Sequence, residues 1–407
     1  MKIRILFIVA FLVTIKSSGQ SLEEYLSIAE INSPELTASN YMYERAVERI
    51  TEVGSLPNTT IGVGYFVQEA ETRVGAQKAK LSIAQKLPWF GTLNAKEEGA
   101  YYKAQAQLNN IDFVKRNLFL SVKKTYYELY ELKAKKRIIS ENIEILKTFE
   151  ELALNELENN RSSMVDVLKI RMEKNELNNS LSTIDENFMA KQIAFNLLLN
   201  RDENLLINVV DEIQLENENE LFQKELISEN PQLLKLDNLK NALEKSELAT
   251  KKEGLPMIGV GLDYVLVDNR LGVNLDDNGK DIIMPMVTVS IPLFSKKYSS
   301  KQKQLNLEQK AIESTKTEVE NKLITIFENA ESSIVNAKIS VRTQIENIIE
   351  AERAKEVLLA GYQTSKIDFD QLLEVQQLKL KFQLKKVVSE KVYGVQKSTI
   401  EFLIDSI

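Results

Sequence analysis

Apolar residues recur along most of the chain at intervals of three, four or seven. In the first long stretch they include Ala104, Ile111, Leu118 and Leu129, while Lys, Glu, Asn and Gln occupy many other positions. This spacing is typical of a helix that packs one apolar stripe against its neighbours in a coiled coil. It predicts two long helices and two shorter return helices, over about 91–157, 296–364, 164–199 and 369–404. At 1.5 Å per residue, each long helix would measure about 100 Å.

Shorter stretches alternate apolar and polar or small residues with a period of two. Ile61, Val63 and Tyr65 alternate with glycines, and Val287 and Val289 repeat the pattern further along. Such alternation predicts strands with one apolar face, over about 57–68, 77–88, 256–267 and 282–293. A length of about ten residues suits a tilted strand that crosses a membrane. An ordinary antiparallel sheet packed on helices shows the same alternation.

Prolines and glycines mark an internal duplication. Six of the seven prolines form pairs in the same order along the chain: Pro34 with Pro231, Pro57 with Pro256, and Pro88 with Pro292. Local sequence agrees, since Ile-Gly-Val-Gly occurs at 61–64 and again at 258–261. A repeat of this size determines the whole fold. It predicts two structural repeats, 20–229 and 230–407, of which the first ends in an equatorial segment over about 201–229.

Composition is consistent with few turns and excludes several kinds of chemistry. Glycine and proline together make up about 5% of the 407 residues, against roughly 12% in average proteins, and turns depend on these two residue types. The chain has no cysteine and no histidine, which excludes disulfides, Cys or His nucleophiles and Cys/His zinc sites. We therefore expect neither enzymatic activity nor a bound cofactor or metal.

The N-terminus has the features of a secretory signal peptide. Lys2 and Arg4 precede an apolar run over 5–15, and small residues follow up to Gly19. Residues 1–19 are therefore predicted to be removed, although a buried N-terminal helix would show the same run. Removing its three basic residues changes the net charge from −7 to −10, which disfavours nucleic acid as a partner. No cysteine follows the run to carry a lipid, so we do not expect a lipoprotein.

Whether the chain spans a membrane depends on the predicted strands. No stretch after the signal reaches 18 consecutive apolar residues, so any membrane-spanning part must consist of strands. Four strands cannot close a barrel, and an open edge in lipid leaves backbone groups unpaired at several kcal/mol each. Membrane strands would therefore require a cyclic assembly, in which two, three or four copies supply eight, twelve or sixteen strands. The long helices would then lie side by side around the same axis, forming a duct.

Three aromatic residues flank the predicted strands. Trp89 and Phe90 follow the second strand, and Phe294 follows the fourth. Aromatic residues at such positions form girdles at the membrane interface in transmembrane barrels. Plain core packing is the alternative.

The order of elements resembles the outer membrane efflux proteins, the TolC-like family. The marks are the twofold repeat, the Leu-Pro pairs that open two of the strands, the Pro-Trp-Phe-Gly exit at 88–91, and two helix-tip motifs. The resemblance covers the chain after the signal. It implies a mainly helical fold with a small membrane β part: a homotrimer whose long α-helical barrel continues into a transmembrane β-barrel with four strands per chain.

The helix tips carry the residues on which the resemblance is most specific. At the first tip, Asn160 takes the place of the family's glycine, ahead of Asp-Val-Leu at 166–168. At the second tip, Gly-Tyr at 361–362 is kept and a turn follows at Ser365. Gln-Leu-Leu-Glu at 371–374 then replaces the family's Asp-Val-Leu-Asp.

The resemblance also implies a function. It indicates a passive exit duct in the outer membrane of a Gram-negative bacterium, surrounded by outer membrane lipid and extending into the periplasm. Its partners would be a periplasmic adaptor protein and an inner-membrane pump of a tripartite efflux or type I secretion system. The alternative is a soluble periplasmic coiled-coil adaptor or structural protein, which would need one hairpin with a separate globular domain.

Family members close the periplasmic end with residues that can be carried over where they match. A tyrosine bonds an aspartate on a neighbouring tip, and the resemblance assigns Tyr362 and Asp166 to this closing pair. Ile367 stands in place of the family's arginine latch. The family's ring positions fall on Gln371 and Glu374, and Asp368 and Asp370 nearby are further candidates for the acidic or polar ring of the pore. Rings of acids favour cations; solvated acids and caps at helix starts are the alternative.

Overall fold

The computed structural model describes residues 21–159, 161, 163–215, 222–272, 274–294, 296–363 and 367–404. The predicted signal peptide and the two predicted turn residues, Asn160 and Ser365, lie outside the described residues. In chain order the elements are α1 Leu22–Asn32, α2 Pro34–Gly54, β1 Thr60–Thr72, β2 Gly75–Leu87, α3 Thr92–Glu158, α4 Met164–Leu198, a 3₁₀ helix Lys224–Glu229, α5 Pro231–Glu253, β3 Met257–Val267, β4 Ile282–Ser290, α6 Lys296–Gln363 and α7 Phe369–Ile404.

Four helices dominate the chain. Helices α3 and α6 have 67 and 68 residues, and α4 and α7 have 35 and 36. Their ends lie within one residue of the bounds that the apolar stripes predict. Helix breakers are scarce in these segments, since no glycine or proline occurs between Ala100 and Asn230 and only Gly361 and Gly394 occur after Lys296, and either residue type would weaken a helix interior. Among the described residues, no helix combines the length and apolarity that a membrane crossing requires.

The four strands form one antiparallel sheet in the order β1-β2-β3-β4. A two-residue turn joins β1 to β2, and Gly75 begins β2 with a φ of 132°, which residues with a side chain rarely adopt. Strand β1 extends to Thr72, beyond the predicted end near 68, and its register shifts between Tyr65 and Ala70. Because β2 pairs with β3, the strand pairs from both halves of the sequence share one sheet.

The chain divides into two compact units. One comprises described residues within 21–34, 115–223 and 326–404, and the other those within 35–114 and 224–325. Each unit draws segments from both halves of the sequence. The helix tips belong to the first unit and the sheet belongs to the second.

One aromatic cluster holds the segment that follows α4. Tyr25 packs edge-on against Phe195, with ring centroids 5.0 Å apart, and both side chains are fully buried. The hydroxyl oxygens of Tyr25 and Tyr126 accept hydrogen bonds from the backbone N–H groups of Asn208 and Val210, at 3.0 and 3.1 Å. These bonds hold the extended segment around Asn208 and Val210 against α1 and α3. The backbone of this segment does not pair there with any strand that the structure describes.

Helices α3 and α7 approach closely at a glycine. A Cβ atom added to Gly394 would lie 2.6–2.7 Å from three atoms of the Tyr127 ring, so the ring occupies the space of the missing side chain. Burial raises the pKa of Tyr127 to about 12. Glycine has a low helix propensity, so this close packing explains why a glycine occurs inside α7.

Candidate functional site

One face of the sheet is apolar and exposed. The pairing register aligns Val63 with Leu81, Leu81 with Tyr264, and Tyr264 with Ile283, so these four side chains form one row across all four strands. All four are exposed, Val63 to 82%. Other exposed apolar side chains of this face are Ile61, Val67, Ile83, Val260, Leu262, Leu266, Val287 and Val289. A patch of this extent marks a surface that contacts an apolar environment or another protein.

The opposite face carries most of the small and polar side chains of the sheet, although β3 and β4 also place Val265, Met284 and Met286 there. Gly62, Ser82, Asp263 and Met284 form a row across the strands. The Asp263 carboxylate is fully buried and forms an ion pair with Lys80 of the neighbouring strand. The two faces therefore differ in polarity as the faces of a transmembrane strand do when one side meets lipid and the other a lumen.

The three predicted interface aromatics lie at the ends of strands. Gly91 adopts a φ of 75° and the N–H of Thr92 donates to the Trp89 carbonyl at 3.0 Å, which turns the chain from β2 into α3. Phe90 and Phe294 are 81% and 90% exposed, and Trp89 is partly exposed. Core packing within the chain, the alternative, therefore does not apply to Phe90 and Phe294. Their place at a membrane interface stays a prediction.

At the first helix tip, Asp166 helps to start α4. The Ser163 hydroxyl accepts the N–H of Val165 at 3.1 Å, and the Asp166 carboxylate accepts the N–H of Ser163 at 3.1 Å. This arrangement is a capping box, which satisfies backbone donors that the first helical turn leaves without partners. Asp166 therefore caps α4, as the alternative reading of the tip acids expects, and its role in closure stays a prediction.

At the second helix tip, Tyr362 is buried in an aromatic cluster. Its ring lies edge-on to Phe369 with centroids 5.4 Å apart, and Phe369 lies edge-on to Phe149 at 6.0 Å. A Cβ atom on Gly361 would lie 2.3 Å from the Cδ1 atom of Ile367, so the residue at the latch position packs against the end of α6. The pairing of Tyr362 with Asp166 stays a prediction.

The predicted ring residues occupy the start of α7 and differ in their contacts. Asp368, Gln371 and Glu374 are exposed, and Gln371 and Glu374 share a helix face because they are three residues apart. Asp370 is also exposed, and the Lys169 ammonium group of α4 contacts both of its carboxylate oxygens, at 2.7 and 2.6 Å. Sequence reasoning missed Lys169, because its partner lies 201 residues away and no spacing rule connects them.

The two helices of the first hairpin are joined by a carboxylate clamp. Glu150 of α3 accepts hydrogen bonds from Arg171 Nε and Lys174 Nζ of α4, both at 2.6 Å. The bonds from Lys174 and Arg171 hold the pKa of Glu150 below its usual value. In the second hairpin Glu352 of α6 forms an ion pair with Lys379 of α7.

Solved structures of outer membrane channels share this fold. The chain superposes on CusC with a TM-score of 0.80 at 12% identity, over 95% of this chain and 92% of that one. For the outer membrane protein VceC from Vibrio cholerae the values are 0.77, 13%, 94% and 95%, and for the outer-membrane channel OprN 0.79, 13%, 94% and 89%. No protein-family model and no curated protein matches the sequence. The chain therefore has the fold of these outer membrane channels, as its element order led us to expect.

Proposed function

We propose that the protein is the outer membrane exit duct of a tripartite efflux or type I secretion system, and that it conducts substrates passively. The observation that carries the proposal is the sheet, whose four strands expose one continuous apolar face and carry most of their small and polar residues on the other. The likeness in fold to CusC, VceC and OprN supports it. The soluble alternative would leave that apolar face in water.

The sheet also explains why the duct would be an oligomer. Within the described part of the chain, β1 and β4 each pair on one side only. In lipid, each free edge would cost several kcal/mol for every unpaired backbone group, and pairing β1 of one copy with β4 of the next removes all free edges. A homotrimer with twelve strands, as the resemblance implies, satisfies this condition in the outer membrane.

The helix tips are proposed to form the periplasmic aperture. Tyr362 and Asp166 would close it, and the exposed acids Asp368 and Glu374 would give it a preference for cations. The energy for transport would come from an inner-membrane pump joined through a periplasmic adaptor protein.

Cell fractionation followed by conductance measurement tests the proposal. We expect the protein in the outer membrane fraction, released only by detergent, with the mass of three chains, and we expect it to conduct ions across a planar bilayer. Protein that remains in solution after membranes are pelleted would refute the duct. For the closing pair, Tyr362→Phe and Asp166→Ala should each raise conductance, and unchanged conductance in both would refute that assignment.

A further inference from the structure

One ion pair joins the two helical hairpins at their tips. Lys169 lies near the start of α4 and Asp370 in the first turn of α7, and the ammonium nitrogen is 2.7 and 2.6 Å from the two carboxylate oxygens. Further along the same two helices, the Gln377 amide donates to Glu173 at 2.8 Å. Polar contacts of two kinds therefore follow the line along which α4 and α7 meet.

The hairpins are tied internally by other charges. Glu150 binds Arg171 and Lys174 within the α3–α4 hairpin, and Glu352 binds Lys379 within the α6–α7 hairpin. Breaking these pairs would loosen a hairpin without separating one hairpin from the other. The contact between Lys169 and Asp370 has the opposite effect, because one member lies on each hairpin.

We propose that Lys169 and Asp370 form a lock that holds the two hairpins together and the tip closed. This inference rests on the proposed channel function and reassigns Asp370, which the sequence analysis names as a candidate for the acidic ring. An ammonium group bound to both carboxylate oxygens neutralises the charge of Asp370, so Asp368 and Glu374 supply the acidic character of the aperture. The lock also accounts for closure in a chain that has Ile367 at the family's latch position.

The solvent exposure of the two side chains limits how far the ion pair can shift the ratio of open to closed tips. The side chains of Lys169 and Asp370 are 38% and 58% exposed, and ion pairs of this kind change an equilibrium by up to about fivefold. If three copies open together, removal of all three pairs shifts the ratio of open to closed tips by up to about a hundredfold. High salt weakens the pair and shifts the ratio in the same direction.

Two substitutions that remove opposite charges separate a lock from a pore acid. A lock predicts that Asp370→Asn and Lys169→Gln both raise the open fraction in planar bilayers, and that the exchange Lys169→Asp with Asp370→Lys returns it towards the native value. A pore acid predicts that Asp370→Asn lowers cation preference while Lys169→Gln raises it, with the open fraction unchanged, and this result would overturn the lock. Asp368→Asn, at an exposed acid two residues away, is the control for charge alone.

A distance measurement tests the lock without relying on conductance. The chain has no cysteine, so spin labels can be attached at Met172→Cys on α4 and Leu378→Cys on α7, both exposed positions. In the detergent-solubilised oligomer, diluted with unlabelled chain, the lock predicts longer or broader distances in both single variants and native distances in the exchange variant. Distances that do not change would overturn the lock. Changed distances in a protein that never conducts would refute the channel function instead.

Discussion

The clamp at Glu150 should control the stability of the first hairpin tip. Glu150→Gln keeps the size of the side chain and removes the charge that accepts from Arg171 and Lys174 at 2.6 Å. Hydrogen bonds to charged groups contribute about 1.5–3 kcal/mol each when shielded from water. The Glu150 side chain is 14% exposed, but Arg171 and Lys174 are 49% and 24% exposed, so solvent screening reduces the effect. We expect a loss of about 1–2 kcal/mol for the two bonds together.

Amide hydrogen exchange measures this loss locally. A decrease of about 1–2 kcal/mol in the free energy of opening corresponds to exchange about 5–30 times faster in α3 and α4 near the tip. Glu151→Gln, at the adjacent exposed glutamate, is the matched control and should leave exchange unchanged. Native-like rates in Glu150→Gln at neutral pH would refute the clamp.

The contribution of Glu150 to the stability of the hairpin tip should decrease as the pH falls. The pKa of Glu150 is lowered in the folded chain, so its contribution is present at pH values above the ordinary pKa of 4.5. It disappears as the pH falls through the lowered folded-state pKa. The difference between the native protein and Glu150→Gln should therefore vanish in acid. A difference of the same size at all pH values would show that the substitution acts through packing.

Three further substitutions test packing and the sheet. Leu372→Ala, at a fully buried position of the tip core, should lower the free energy of unfolding by about 2–5 kcal/mol, and a loss below about 1 kcal/mol in denaturant titrations would contradict this. Gly394→Ala should lower the free energy of unfolding by about 0–2 kcal/mol, because overpacking against the Tyr127 ring offsets the gain in helix propensity. In a double-mutant cycle, adding Tyr127→Leu should remove this penalty. Val63→Arg on the apolar face should reduce folded protein in the outer membrane, at a cost of about 2–4 kcal/mol, whereas Ser82→Arg on the opposite face should be tolerated. Equal yields would contradict the assignment of the faces.

The long elements are the part of the fold that the sequence predicts well. A stripe with a period near 3.6 that persists for more than sixty residues leaves little freedom, because glycine and proline are absent from most of it. The sequence predicts the ends of the strands less well. The polar residues from Glu69 to Thr72 suggested a loop, but they belong to β1 beyond a register shift, since backbone pairing does not require an apolar face.

In the candidate site, the sequence predicts the local contacts but not the contacts between distant residues. The capping role of Asp166 follows from residues three positions apart, so local sequence sufficed. The partners of Asp370 and Glu150 lie on other helices, at separations of 201 and 21 or 24 residues. Side-chain pairing between helices depends on their rotation and axial register, which a hydrophobic stripe determines only to within about one turn.

Axial register itself depends on a buried polar layer. Apolar stripes as long as those of α3 and α7 would pack almost equally well after a shift of seven residues, because leucine and isoleucine recur at that spacing. Asn142 of α3 and Gln376 of α7 are both 2% exposed. The Gln376 amide donates to the Asn142 side-chain oxygen at 2.6 Å, and the Asn142 amide donates to Gln383 at 3.2 Å. A shifted register would bury these amides against apolar side chains at about 1–3 kcal/mol for each unpaired group. The polar layer therefore selects one alignment of the two helices, and through it the alignment of Lys169 with Asp370 at the tip.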